Sequence, residues 1–172
     1  MASKKSAGLL MFRWRNGELE VLLAHPGGPF FKNKDDGHWS IPKGEPEPGE
    51  DLLARAKIEF NEELGFVPAS WGEMIDLGST KQKGGKIVFA WAFAGDLPND
   101  FKVVSNTCEV EWPPRSGKFM RIPEVDQAQF FLITEARRKM KEAQTVFLDR
   151  LIERLRLKPE GSRSEHQLFR QD

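Results

Sequence analysis

Three glutamates, Glu59, Glu62 and Glu63, stand at i, i+3 and i+4 in a stretch from Glu50 to Leu64 that holds no glycine or proline. In a helix that spacing sets three carboxylates side by side on one face, where they repel one another. A divalent cation among them makes the arrangement favourable, because hard cations take oxygen ligands and need negative charge to offset their dehydration. A solvated acidic face is the plain alternative in a chain this rich in charge. The same stretch carries Leu52, Leu53, Ala56, Phe60 and Leu64 on an arc of roughly 120°, with Gly65 and Pro68 placed to stop it. The spacing therefore predicts an amphipathic helix that buries one arc and presents the glutamates on the next.

The elements that must position this helix are legible on either side of it. Ala7 to Trp14 and Glu18 to Ala24 are rich in Leu, Val, Phe and Trp, and Arg15-Asn16-Gly17 between them predicts a hairpin. Pro26, Gly27, Gly28 and Pro29 then open a loop, a polar stretch runs to Gly37, and His38 to Pro42 reads as a short extended segment. After the helix, Met74 to Thr80 and Ile87 to Ala94 predict strands around a Lys-Gln-Lys-Gly-Gly-Lys turn, and Gln129 to Ile133 predicts another. Thr134 is a plausible N-cap for a helix ending near Leu157, with Phe147, Leu148, Leu151, Ile152 and Leu155 at core-facing spacing. The layout predicts an α/β domain over residues 1–157, a mixed sheet between helices, followed by a flexible polar tail over 158–172.

Composition limits the function classes. The 172 residues are 39% hydrophobic and 30% charged, enough for one sizeable core. Lys plus Arg and Asp plus Glu are 26 each, a net charge of zero, so the chain lacks the excess of a general nucleic-acid binder. The single Cys108 forms no internal disulfide and has no second thiol for a zinc knuckle, which suits a reducing cytoplasm. Basic residues near the start give way to Phe12-Arg13-Trp14-Arg15, and no run approaches the ~20 apolar residues of a membrane span, so neither a signal peptide nor a membrane association is expected.

Reading outward from the glutamates, the residues from Gly44 to Phe66 resemble the signature box of the Nudix hydrolases: Gly, five residues, Glu, seven residues, Arg-Glu-aliphatic-any-Glu-Glu-any-Gly-aliphatic. Gly44, Glu50, Glu59, Glu62, Glu63 and Gly65 all match at the required spacing. The resemblance implies an α/β/α sandwich and hydrolysis of a nucleoside diphosphate linked to another group, by water attacking phosphorus with the help of metal ions. It implies that Glu59, Glu62 and Glu63 bind Mg²⁺, with Mn²⁺ as a possible substitute, that the carbonyl at Gly44 or its neighbour is a further ligand, and that Glu50 supports the box. The general base is one of the helix glutamates or a carboxylate from outside; Glu124, a few residues before Phe130, is preferred to Glu109 and Glu111, which could be strand-surface residues only. One position departs from the pattern. Ile58 stands where the family has Arg, and Arg55, one turn before Glu59, either replaces that counter-charge by an i to i+4 pair or merely offsets surface charge. Lys57 is a weaker candidate.

The approach to the box, Pro42-Lys43-Gly44, resembles the Nudix branches that cleave dinucleoside polyphosphates and diphosphoinositol polyphosphates. Lys43 is a candidate cation for a phosphate beyond the metals. Lys86, with Lys81 and Lys83, and Arg115, with Lys118 and Arg121, are further candidates or solubilising surface. Trp112, Phe119, Phe30 and Phe31 are candidate stacking partners for a nucleobase or core residues, and His25 and His38 either touch phosphate or satisfy local hydrogen bonds. Three functions follow: a Mg²⁺-dependent hydrolase of a dinucleoside polyphosphate such as diadenosine tetraphosphate, a nucleoside triphosphate pyrophosphatase that cleans the nucleotide pool, and a nucleotide-sensing module without turnover. The expected partner is a small nucleotide; the sequence leaves oligomeric state open.

Overall fold

The computed structural model describes residues 4–157. Strands β1 (Lys5–Arg15) and β2 (Glu18–Pro26) are joined at Asn16 and Gly17, whose φ of 51° and 75° are the left-handed values a two-residue hairpin needs and Asn-Gly supplies. The two strands pair only near the hairpin, from Phe12↔Val21 to Arg15↔Glu18. Below it they part, and the segment from Trp39 onward wedges between them: Ser40 bridges Ala24 of β2, and β3 (Lys43–Gly44) pairs with Ala7 and Gly8 of β1. Gly8 permits this, since a Cβ there would stand 2.6 Å from the Pro42 carbonyl oxygen.

On the other edge of β1 lies β5 (Ile87–Ala94), parallel to it, and β4 (Ile75–Lys81) closes antiparallel on β5. Strand β8 (Val125–Leu132) is antiparallel to β2, giving the order β4-β5-β1-β2-β8. The helix α1 (Leu52–Leu64) packs on one face, where Leu9 and Met11 share a core with Phe60, Leu64 and Phe93. The alternate residues of β1, Leu10 and Phe12, join Phe147, Leu148 and Leu151 of α3 (Val146–Arg156) on the other face. The result is the expected α/β/α sandwich around a mixed sheet.

Three local expectations are corrected. The long second helix is broken: α2 (Ile133–Lys139) starts without a side-chain cap, so Thr134 is not its N-cap, and the chain is extended at Met140 (ψ 155°) before a 3₁₀ turn (Glu142–Gln144) and α3. The break has a cause in the wedge. Trp39 N–H donates to the Lys139 carbonyl and Lys141 N–H to the Trp39 carbonyl, at 3.0 and 2.9 Å, so the chain leaves the helix to run beside Trp39. Strand β8 starts at Val125, four residues earlier than the apolar run suggests, and Ile133 belongs to α2. The segment around Trp112 and Phe119, for which the sequence predicts no element, contains a two-stranded ribbon, β6 (Thr107–Glu111) with β7 (Phe119–Pro123). The ribbon leaves Phe119 and Met120 exposed and buries only Ile122, so its short strands carry little apolar signal. The predicted tail over 158–172 lies outside the described residues.

Gln144 is fully buried and clamps the wedge. Its Oε1 accepts from Ile41 N–H at 3.1 Å, and its Nε2 donates to Ser40 Oγ at 3.0 Å and Gln82 Oε1 at 2.9 Å. Gln144→Leu keeps the volume and strands those partners, so it should lower stability by about 1–3 kcal/mol or more in a urea melt. An unchanged midpoint would show that the clamp contributes nothing.

Candidate active site

The local chemistry of α1 fixes the acidic face. Asp51 caps the N-terminus, accepting from Ala54 N–H at 2.9 Å, and Gly65 ends the helix in the left-handed conformation at φ 70°. The last carbonyls are taken by a following loop, Leu64 by Val104 N–H at 3.1 Å and Glu62 by Asn106 N–H at 2.7 Å. With Ala56, Phe60 and Leu64 buried in the core, Glu59 and Glu63 are turned under β3 and are each only 8% exposed, while Glu62 is exposed. Gly44 is the close approach that allows this: a Cβ there would lie 2.0 Å from the Glu59 carboxyl carbon.

The buried carboxylates are held against their own repulsion. Burial pushes the Glu63 carboxyl up to about 8, with Glu59 and Glu124 adding to the shift; nearby Lys43, whose N–H donates to Glu63 Oε2 at 3.2 Å, opposes it. Glu59 is also raised, chiefly by burial and then by Glu62, with Glu124 contributing, against the pull of Arg55. Arg55 makes a fork to Glu50, Nε to Oε2 at 2.8 Å and Nη2 to Oε1 at 2.9 Å, and its Nη1 reaches Glu59 Oε1 at 3.2 Å. Glu50 Oε2 also accepts from Glu47 N–H at 2.8 Å, so the fork ties the loop to the helix. Arg55 thus supplies the ion pair that Ile58 cannot, and Ile58 is 41% exposed.

Glu124 sits between β7 and β8, half-buried and within electrostatic reach of Glu59 and Glu63. Glu109 and Glu111 are exposed on β6 with local partners, Arg121 at 3.9 Å and Gly117 N–H at 2.8 Å. Lys43 is half-buried beside Glu63, and burial, together with Lys141 and Lys86, lowers its ammonium to about 8. Lys86 pairs with Glu45 at 2.8 Å. Arg115 is exposed in the β6–β7 turn, with no ion pair or hydrogen bond to the helix carboxylates among the described residues. Lys141 was missed, because the sequence places it inside a continuous helix. His25 is buried, its Nδ1 2.7 Å from Asp126 and its Nε2 2.6 Å from the Lys34 carbonyl, and His38 bonds the Asp36 carbonyl.

Chemically, the face offers hard oxygen donors in a desolvated setting, which suits a divalent cation of the Mg²⁺ type. Among the described residues no three acidic, His or Cys side chains converge into a finished cage. Glu59 Oε1 accepts from Arg55 Nη1 at 3.2 Å and Glu63 Oε2 from the Lys43 amide at 3.2 Å. The donor set, carboxylates with a backbone carbonyl close by, fits such an ion.

A family model for the NUDIX domain matches residues 3–151. The chain is a member of the NUDIX family. That membership makes it a hydrolase by class, from a family whose members generally use divalent metal ions. Among solved structures, this Nudix chain is similar to a C. elegans Ap4A hydrolase in a binary complex, at 22% identity over 89% of this chain and 98% of that one, with a TM-score of 0.59. It is similar to the NUDIX domain of Shewanella oneidensis NrtR complexed with ADP ribose, at 14% identity over 90% of each chain and a TM-score of 0.60. The MutT protein from Methanosarcina mazei Go1 shares 20% identity over 91% of this chain and 96% of that one, at a TM-score of 0.54. At these identities the likeness is one of fold. No curated protein matches the sequence. No helix among the described residues is long and apolar enough to cross a membrane.

The raised Glu63 carboxyl gives a pH dependence with a definite sign. The folded state holds the proton to about 8 and the unfolded state releases it near 4.5, so this group subtracts stability progressively as pH rises between those values. In metal-free buffer, Glu63→Gln should therefore be more stable than the parent near pH 8 and close to it near about pH 5. A gain of equal size at both pH values would mean that burial of the charge is not the cause.

Proposed function

We propose that this Nudix hydrolase cleaves a phosphoanhydride bond in a dinucleoside polyphosphate, such as diadenosine tetraphosphate, using Mg²⁺, with Mn²⁺ as a substitute. The carrying observation is the half-buried Lys43 between the acidic helix face and the further lysines Lys86 and Lys141. A nucleoside monophosphate needs no cation so placed; a longer anionic chain extending past the glutamates does. The C. elegans structure of an Ap4A hydrolase supports the same substrate class. The single Cys108 and zero net charge agree with a cytoplasmic enzyme of small nucleotides rather than of nucleic acid. The catalytic unit is taken as residues 1–157, with 158–172 as an appended tail.

In this reading Glu59, Glu62 and Glu63, with the carbonyl at Gly44, hold the metal. When bound, the ion supplies positive charge to the phosphate oxygens and to the attacking water. Arg55 favours the ionised form of Glu59 against the effect of burial and holds it by an i to i+4 pair. Glu124 takes the proton of the water as its oxygen bonds to phosphorus, and the bridging P–O bond breaks with its electron pair leaving on the departing nucleotide. Lys43 binds a phosphate oxygen of the chain and orients it, while Lys86 is available after release from Glu45. Arg115 has the weakest case among the proposed substrate contacts, because it is exposed on the β6–β7 turn and is not among the cations acting on Glu59, Glu63 or Lys43.

Incubation of the purified protein with Mg²⁺ and a nucleotide panel should yield two nucleotides from a dinucleoside tetraphosphate. Monophosphate and pyrophosphate from triphosphates as the main products would support a pool-cleaning pyrophosphatase instead, and binding without products a sensing module. Lys43→Ala should lower kcat/KM by about ten-fold or more on the tetraphosphate and only a few-fold on a dinucleoside diphosphate, a charge-assisted hydrogen bond being worth roughly 1.5–3 kcal/mol. Equal losses on both substrates would contradict its role as a chain contact.

A further inference from the structure

The break between α2 and α3 brings into the site a lysine that the helical periodicity concealed. Met140 and Trp39 are both buried and form a parallel bridge, and Lys141 N–H donates to the Trp39 carbonyl at 2.9 Å. Backbone direction alternates along this extended piece, so with Met140 committed to the core its neighbour is sent the other way, along the wedge toward Lys43. Gln144, three residues on, fixes the piece by its bonds to Ile41 N–H and Ser40 Oγ. Lys141 is half-buried and lies within electrostatic reach of both Lys43 and Lys86.

Its partners distinguish it from its neighbours. Lys86 is paired with Glu45, and Lys139, on the last turn of α2, with Asp35 and Asp36. Lys141 has no ion pair among the described residues, and burial together with Lys86 disfavours its charge. A partly desolvated ammonium beside two others, on a rigidly tied backbone, is unfavourable in the free protein and becomes favourable when an anion enters among them. Nothing in the fold requires a cation there: the backbone bonds of residue 141 and the core contacts of Met140 would be made equally by a neutral side chain.

We propose that Lys141 is a phosphate-binding, specificity-determining residue that, with Lys43 and Lys86, forms a subsite for the part of a polyphosphate chain furthest from the helix glutamates. The proposal rests on the reading of the site as a polyphosphate hydrolase and names the residue by which it would count phosphates. Three ammoniums on three separate elements, β3, the β4–β5 turn and the α2–α3 junction, suit a flexible linear anion of several phosphates better than a single phosphate group, which one such cation can satisfy.

The test compares wild type, Lys141→Ala and Lys141→Arg in two measurements. By calorimetry without metal, inorganic tetrapolyphosphate should bind wild type more tightly than pyrophosphate does. Lys141→Ala should weaken the tetrapolyphosphate by about ten-fold and leave pyrophosphate nearly unchanged, and Lys141→Arg should retain the preference. In hydrolysis with Mg²⁺, Lys141→Ala should lose about ten-fold in kcat/KM on a dinucleoside tetraphosphate, mostly through KM, and little on a dinucleoside diphosphate. Equal losses across chain lengths, or no loss of tetrapolyphosphate binding, would overturn the proposal. If wild type hydrolyses no dinucleoside polyphosphate while the binding preference still depends on Lys141, the hydrolysis reading fails and the subsite stands.

Discussion

The burial of two carboxyl groups, Glu59 and Glu63, on one turn of α1 is the constraint to which the rest of the site answers. Burial raises both carboxyl groups, and each neighbouring acid raises them further. Their relief is spread over three devices. Arg55 binds Glu59 while anchored to Glu50; the Lys43 amide and charge face Glu63; and Gly44, having no side chain, lets the Glu59 carboxyl come against the backbone. None of these neutralises the face completely. An ion-free protein therefore stores unfavourable charge where a divalent cation would be most favourable.

The sheet supplies the geometry. Because β1 and β2 pair only beside their hairpin, the segment from Trp39 to Gly44 can enter between them and deliver Lys43 and Gly44 to the acidic face. The same segment organises the far side of the sheet. It takes up the Lys139 carbonyl and the Lys141 N–H and is locked by the buried amide of Gln144. One inserted strand thus couples the acidic face of α1 to the basic side, so the spacing between them is set by main-chain bonds rather than by mobile surface side chains.

How much of this was legible in the sequence depended on the range of the forces involved. The hairpin at Asn16-Gly17, helix α1 with its caps, and the sandwich class follow from local turn chemistry and from apolar periodicity. The i to i+4 pair of Arg55 with Glu59 was equally local, and the sequence posed it correctly as one of two alternatives. The gap between α2 and α3 was invisible, since Phe147, Leu148 and Leu151 keep a helical face whether or not residues 140–141 are helical, and the bonds that break the helix come from Trp39, about a hundred positions away. Lys141 was lost with it. Arg115 was chosen because positive charge gathers around it in the sequence, but the ribbon that carries it has an exposed, partly apolar face and projects from the main sheet. The glutamates were singled out by their spacing together with the box they belong to; their burial was not legible, because it depends on β3 lying close over them.

Charge buried on the acidic face of α1 is unfavourable in the free protein and should be relieved by a divalent cation. The most direct measurement is the melting temperature of the wild-type protein near pH 8 in chelated buffer and again with millimolar Mg²⁺ at matched ionic strength, with Glu63→Gln beside it. A ligand that binds only the folded state raises stability by RT ln(1 + [L]/Kd). The account predicts a saturable rise of several degrees in wild type and a much smaller one in Glu63→Gln. An unchanged melting temperature in wild type, or an equal rise in the variant, would contradict it.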